Sequence, residues 1–271
     1  MDVGISTRCF GTAPLTLDLL ERLRRAEFTR IELHAALPGL NYHNRSVARD
    51  IARWFRENEL PAPSLHLPFE KNVLADSRFD RQAALDELKR CLELSDLLPV
   101  RFAVLHLGDP HQEFNPVVLE YAYAAVATVQ SFSGVRVLLE TLPNGIATFA
   151  RIDEFRTAAQ LVNVGICYDT GHGEPDGTFD VIHLNDNHGL NLNDDEHLWP
   201  FDGVRDWTAL VEHLVLSSFA GPIILEASND RLEKASSCRS RLRDLIDEAA
   251  NSIDEFRLKY KLPVSRPEDE R

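Results

Sequence analysis

Between His183 and His197 the chain reads HLNDNHGLNLNDDEH, with three histidines and four carboxylates in fifteen positions. Imidazole and carboxylate side chains together are the usual ligands of borderline divalent ions. The same residue types close other short apolar runs: His66 in SLHLP, His106 in VLHLG, Glu140 in LLET, Asp169 and His172 in YDTGH, His183 in IHLND and Glu226 in ILEAS. Any one of them has an ordinary explanation, a hydrogen-bonded structural histidine or a salt-bridged glutamate. Gathered in one cup, the carboxylates would repel one another and hold their protons unless cations lay among them. A mixed His, Asp and Glu set suits zinc or manganese, with magnesium or cobalt also compatible.

The elements that must gather these residues follow from periodicity. Apolar, β-branched runs are expected as strands at Val3 to Ser6, Arg30 to His34, Ala62 to Leu67, Phe102 to Leu107, Val135 to Thr141, Val164 to Tyr168, Phe179 to Leu184 and Pro222 to Glu226. Between them lie helical patterns at Leu15 to Glu27, Ser46 to Glu59, Arg78 to Leu98, Pro116 to Phe132, Ile152 to Leu161 and Trp207 to Ser218, with a last helix over Arg231 to Lys259. Eight strands alternating with helices predict an α/β fold, a parallel (β/α)8 barrel whose strand C-termini share one rim. The whole chain, 1 to 271, reads as one domain with a C-terminal helical extension from about 231. No GxGxxG or GxxxxGK follows a strand, which argues against a doubly wound nucleotide fold.

One crossover breaks the pattern. DTGHGEPDGT, between strands six and seven, is too short and too rich in Gly, Pro and Asp for a helix. The sixth helix is therefore expected to be missing. That would leave an apolar stripe to be covered by the segment Ser252 to Pro263 or by a second subunit, so a homodimer is compatible with the sequence.

Composition narrows the function classes. The net charge of −14 disfavours nucleic acid as a partner. No apolar run is long enough to span a bilayer, and the N-terminus lacks a basic segment followed by an apolar one. Four cysteines without a CxxC pair read as free thiols of a reducing compartment. The expectation is a cytoplasmic protein.

In this order and spacing, SLHLPF, VLHLG, LLET, YDTGH, HLNDN, DDEH and ILEAS resemble the xylose isomerase-like TIM barrels, over roughly residues 30 to 228. That superfamily holds sugar isomerases and epimerases as well as abasic-site nucleases of the endonuclease IV type. The resemblance implies a metal held by Glu140, Asp169, His183 and Glu226. It further implies that His66 and His106, with Glu140 bridging, match a second ion position, and His172, Asp195 and His197 a third. The short loop between strands six and seven, the acidic charge and a loop after strand two without arginine before Arg45 depart from the nuclease.

The favoured expectation is a metal-dependent isomerase or epimerase of a small carbohydrate or polyol. Glu140 and Glu226 would remove and return a proton beside a polarised carbonyl. His66, His106, His172 and His188 are candidate substrate contacts, and Phe69, Trp199 and Phe201 a candidate apolar wall. A metal-dependent phosphodiesterase and a non-catalytic metal-binding barrel are the alternatives.

Overall fold

The computed structural model describes residues 1–11, 13–37, 39–109, 115–143, 145–161, 163–189, 195–228 and 230–260, with side chains described as far as 255. Its eight strands are β1 (Val3–Ser6), β2 (Ile31–His34), β3 (Ser64–His66), β4 (Phe102–Leu105), β5 (Arg136–Glu140), β6 (Val164–Asp169), β7 (Val181–Leu184) and β8 (Ile223–Leu225). Each pairs in parallel with the next, and β1 pairs with β8, so the sheet closes as a barrel. Around it lie seven α-helices among the described residues. They are α1 (Leu17–Arg25), α2 (Arg45–Glu57), α3 (Arg78–Leu92), α4 (Pro116–Gln130), α5 (Phe149–Ala158), α6 (Trp207–Leu216) and α7 (Leu232–Tyr260). None is long and apolar enough to cross a membrane.

Local chemistry starts the helices where the sequence allows it. Thr16, Asn44, Ser77, Asn115 and Asp206 each accept a hydrogen bond from a first-turn N–H, and Pro116 opens α4 where a missing N–H costs nothing. The third helix stops at Leu92 rather than running to Leu98. Ser95 Oγ donates to Leu92 O at 2.6 Å, and the backbone continues as turns.

The barrel interior is ordered by strand alternation. Phe102, Val104, Leu138, Cys167, Val181 and Ile224 form an inner apolar cluster, distinct from the core between sheet and helices. Two residues beyond Val104, Leu138, Cys167, Val181 and Ile224 come His106, Glu140, Asp169, His183 and Glu226. Equal parity sends all five toward the barrel axis at the C-terminal rim.

The crossover from β6 to β7 holds no α-helix. A single 3-10 turn, Thr170–His172, is followed by Gly173 and Gly177, with φ of 117° and 130°. The expected exposed stripe is absent. Ile166, Tyr168, Ile182 and Leu184 are no more than 2 % exposed within a single chain. Phe149, Phe179 and Phe219 bridge the space, with ring centroids 5.2 Å apart for Tyr168–Phe179 and 4.9 Å for Phe179–Phe219. Aromatic rings from neighbouring segments are wide enough to do what the helix would have done. α7 packs instead on α6 and β1, and Ser252, Asp254 and Glu255 are exposed. Residues 261–263 of the proposed cover lie outside the described residues. Neither a C-terminal cover nor a second subunit is needed to bury these strands.

Candidate metal centre

Two groups of potential ligands meet at the rim. In the first, ligand atoms of His66, Glu140, His183 and Glu226 lie within 4.8 Å of one another, all buried. Glu140 is the hub. Its Oε2 is 2.9 Å from His66 Nε2 and 2.8 Å from His106 Nε2, and its Oε1 is 3.1 Å from His183 Nδ1. Glu226 Oε2 reaches the same His183 Nδ1 at 3.0 Å. In the second group, Asp169, His172 and His197 meet within 4.8 Å. Asp195 Oδ1 spans the two histidines, 3.2 Å from each Nε2.

The two groups adjoin. Asp169, expected among the central ligands, sits with His172, Oδ1 to Nδ1 at 3.4 Å. Its other oxygen accepts from Asn185 Nδ2 at 2.7 Å, and Gly171 N–H donates to Oδ1 at 2.7 Å. His66 and His106, expected to share Glu140 at a second ion position, both reach its Oε2, and His66 also stands within the first group.

Electrostatics follow from carboxylates packed in a largely buried place. Burial opposes charge on His66, but the neighbouring Glu140 overrides it and raises its pKa to about 9. Burial also opposes charge on His172, and Asp169 and Asp195 raise it to about 10. His183 is likewise raised well above its ordinary value against burial, with Glu32, Glu226 and Glu140 among the groups that favour its charge. Burial would raise the carboxyls of Glu140 and Glu226. The histidines around Glu140, and His183 with Arg8 beside Glu226, hold both well below the usual range instead. Without an ion, protons on the histidines supply the positive charge.

Do these residues fit a divalent ion? Two carboxylates and two imidazoles converge at one point, the donor chemistry of zinc and related ions. Glu226 Oε2 is the oxygen turned to that point, while its Oε1, on the side of Arg8, is buried and without a hydrogen-bond donor. His183 Nδ1 lies between the two carboxylates, 3.1 Å from Glu140 Oε1 and 3.0 Å from Glu226 Oε2. The set fits.

A cleft of about 360 Å³ opens on the first group, lined by Arg8, Phe69, His106, Glu140, Asp195 and Glu226 among others. It lies at the small end of ligand pockets. A larger cavity of about 520 Å³ at the opposite mouth is lined by Arg30, Arg101 and Asp180, and none of the histidines borders it. Phe69 faces the cleft, 5.7 Å from both His34 and His106. Trp199 is 2 % exposed, and Phe201 packs on Trp207 and Arg241, so neither forms a wall of the cleft. His188 is exposed and pairs with Glu196 at 3.0 Å, away from both groups. Asp186 is buried and ties its loop together, accepting from Trp207 Nε1 at 2.9 Å and from the N–H groups of Asn187, Phe201 and Arg205.

Three residues at the site were not singled out from the sequence. Glu32 is fully buried, with Oε2 3.0 Å from His183 Nε2. His34, two residues on, packs against His66 with ring centroids 4.9 Å apart. Arg8, in the turn after β1, brings Nε within 3.9 Å of Glu226 Oε1. The alternation of IELH, with Glu and His sharing one face and Ile and Leu the other, was the available signal for the first two.

The family model described as xylose isomerase-like TIM barrel matches residues 20–256. Among solved structures, a D-tagatose 3-epimerase-like protein superposes with a TM-score of 0.77 at 19% identity, covering 93% of this chain and 100% of that one. An L-ribulose 3-epimerase gives 0.74 at 17%, covering 99% and 100%. The IOLI protein, in a crystal structure with a binding zinc atom, gives 0.72 at 18%, covering 93% and 99%. At these identities the likenesses speak for the fold.

Proposed function

The chain belongs to the xylose isomerase-like TIM barrel family, and from that premise we propose that it is a divalent-metal-dependent epimerase or isomerase of a small carbohydrate-like ketone. The observation that carries this reading is the placement of Glu140 and Glu226. Their carboxylates flank one point, 3.1 and 3.0 Å from His183 Nδ1, and both border the cleft. Two carboxylates on either side of a bound carbon can take a proton from one face and return one to the other. The sugar epimerases among the structural neighbours support the same class.

Glu140, His183 and Glu226 are the proposed core of the ion's ligand set, with Asp169 and His66 the candidates to complete it. A divalent cation there supplies Lewis acidity, which makes the C–H beside a carbonyl easier to deprotonate. The zinc atom in one structural neighbour favours zinc as the ion to try first. His106, 20 % exposed at the cleft, is the proposed contact for a substrate oxygen, with the apolar edge of Phe69 beside it. Arg8 brings a guanidinium to the cleft's lining and offers hydrogen-bond donors to a hydroxyl or carbonyl.

The second group, Asp169 with His172 and His197, is the feature that favours a phosphodiesterase, since a pair of ions can stabilise the attacking and leaving oxygens of phosphodiester cleavage whereas proton transfer needs only one. Incubation of zinc- or manganese-loaded protein in deuterated water with a panel of ketoses and cyclic polyol ketones separates the two. Deuterium at the carbon beside the carbonyl is the expected result. No exchange with any ketone, together with cleavage of an abasic-site duplex, overturns it.

A further inference from the structure

Three histidines of the site are aimed by backbone carbonyls. His66 Nδ1 is 2.8 Å from Leu67 O, His172 Nδ1 is 2.7 Å from Thr141 O, and His197 Nδ1 is 3.2 Å from Glu226 O. A carbonyl oxygen only accepts, so each Nδ1 carries the hydrogen and each Nε2 is turned to the carboxylates. His183 is the reverse. Its Nδ1 faces Glu140 and Glu226, and its Nε2 faces Glu32 Oε2 at 3.0 Å inside the barrel. Among the described residues no backbone carbonyl holds this ring; a side chain from β2, 151 residues away in sequence, meets its Nε2, and the Cys167 thiol also lies within hydrogen-bond reach of the ring.

Glu32 is itself held. Ser64 Oγ–H donates to the same Oε2 at 2.6 Å, and both residues are fully buried. Ser64 and His66 share a strand face, so β3 supplies the clamp on Glu32 and a member of the first group two residues later. Glu32 does not line the cleft, so it has no route to a substrate. A carboxyl group placed mid-barrel is costly unless its hydrogen bonds serve something.

We propose that Glu32 is the positioning residue of the metal centre, accepting the Nε2 hydrogen of His183 so that the Nδ1 lone pair is directed at the ion shared with Glu140 and Glu226. This rests on the metal-dependent reading above. Outer carboxylates of this kind fix the ring's orientation and tautomer and make the imidazole a better donor. A merely structural Glu32 would affect the stability of the barrel and leave the affinity of the folded protein alone.

The test is zinc affinity, measured by chelator competition on the folded wild-type, Glu32→Gln and Ser64→Ala proteins. It is joined by the ring ¹⁵N shifts of His183 in the zinc-loaded wild type. Glu32→Gln keeps the shape and removes the charge, and a loss of about 10- to 100-fold in zinc affinity is expected. Ser64→Ala should show a smaller loss in the same direction. In the wild type Nε2 should carry the hydrogen. Affinity of Glu32→Gln within about twofold of wild type, or a His183 protonated on Nδ1 in the zinc-loaded protein, overturns the role of Glu32 and leaves the metal centre standing. A wild type with no zinc affinity overturns the metal-dependent reading, and this inference with it. Should Glu32→Gln fail to fold, Ser64→Ala and the wild-type ring shifts decide.

Discussion

The two ligand groups share a rim but are built differently. His66, Glu140, His183 and Glu226 lie on or directly after strands, and each is no more than 1 % exposed. Their directions are set by the same alternation that packs the inner apolar cluster beneath them. The second group takes Asp169 from the end of β6 but otherwise depends on connections. His172 sits in the 3-10 turn after β6, His197 has a positive φ of 45°, and the Asp195 side chain is 41 % exposed. Ligands on a closed barrel cannot move without distorting the sheet, whereas ligands on loops can shift with the loop. The first group is therefore the one suited to hold reacting atoms in register, and the second to tune or extend it.

The sharpest way to break this comparison is at the first group. Glu140→Gln and Glu226→Gln should each lower proton exchange into substrate by about 10²- to 10⁴-fold with the fold retained, because a carboxamide cannot carry the proton. Wild-type exchange in both metal-loaded variants would remove the two-carboxylate mechanism. Changes in the second group should cost less. His197→Ala is expected to lower turnover by about 10-fold, the lower end for residues that support a metal site, and to leave one zinc equivalent bound by elemental analysis. An equal loss from both groups would mean that they act as one centre.

Dependence on pH sharpens the same contrast. Against the pull of burial, Glu140 raises His66 to about 9, and Asp169 with Asp195 raises His172 to about 10, both above the ordinary histidine value of about 6.5. The folded state then holds more protons than the unfolded chain between these values. The stability these two residues contribute is complete below about 6.5 and lost as pH rises through 9 and 10. Thermal melts of chelator-treated protein should fall across that window, and zinc should flatten the fall by supplying the charge itself. A zinc-independent slope would place the effect elsewhere.

The smallest effect is expected under the second group. Tyr168 OH donates to Gly173 O at 2.8 Å, bracing the loop that takes the place of the sixth helix. Tyr168→Phe should cost about 1 kcal/mol in denaturant unfolding. Zinc affinity should not change if the first group is as independent of that loop as its geometry implies.

Much of this was legible along the chain. The strand ends on β3 through β8 carry conspicuous residues after apolar runs, and period-two alternation alone says that they share a face with the residues two before them. The missing helix was legible because GHGEPDGT offers neither length nor helix formers. What covers its place was not, because Phe149, Phe179 and Phe219 become neighbours only when α5, β7 and β8 are assembled.

Tertiary structure alone decided the rest, for one physical reason. Local sequence sets which face of its own element a side chain occupies, and closure of the barrel sets what stands opposite. Glu32 and His34 in IELH read as polar positions of an ordinary strand until closure brings β2 across from β7, where Glu32 meets His183. Arg8 follows β1 and becomes a neighbour of Glu226 because β1 pairs with β8, Ile5 beside Leu225. His197 joins Asp169 and His172, and His66 joins Glu140, through distances that no spacing in the chain encodes.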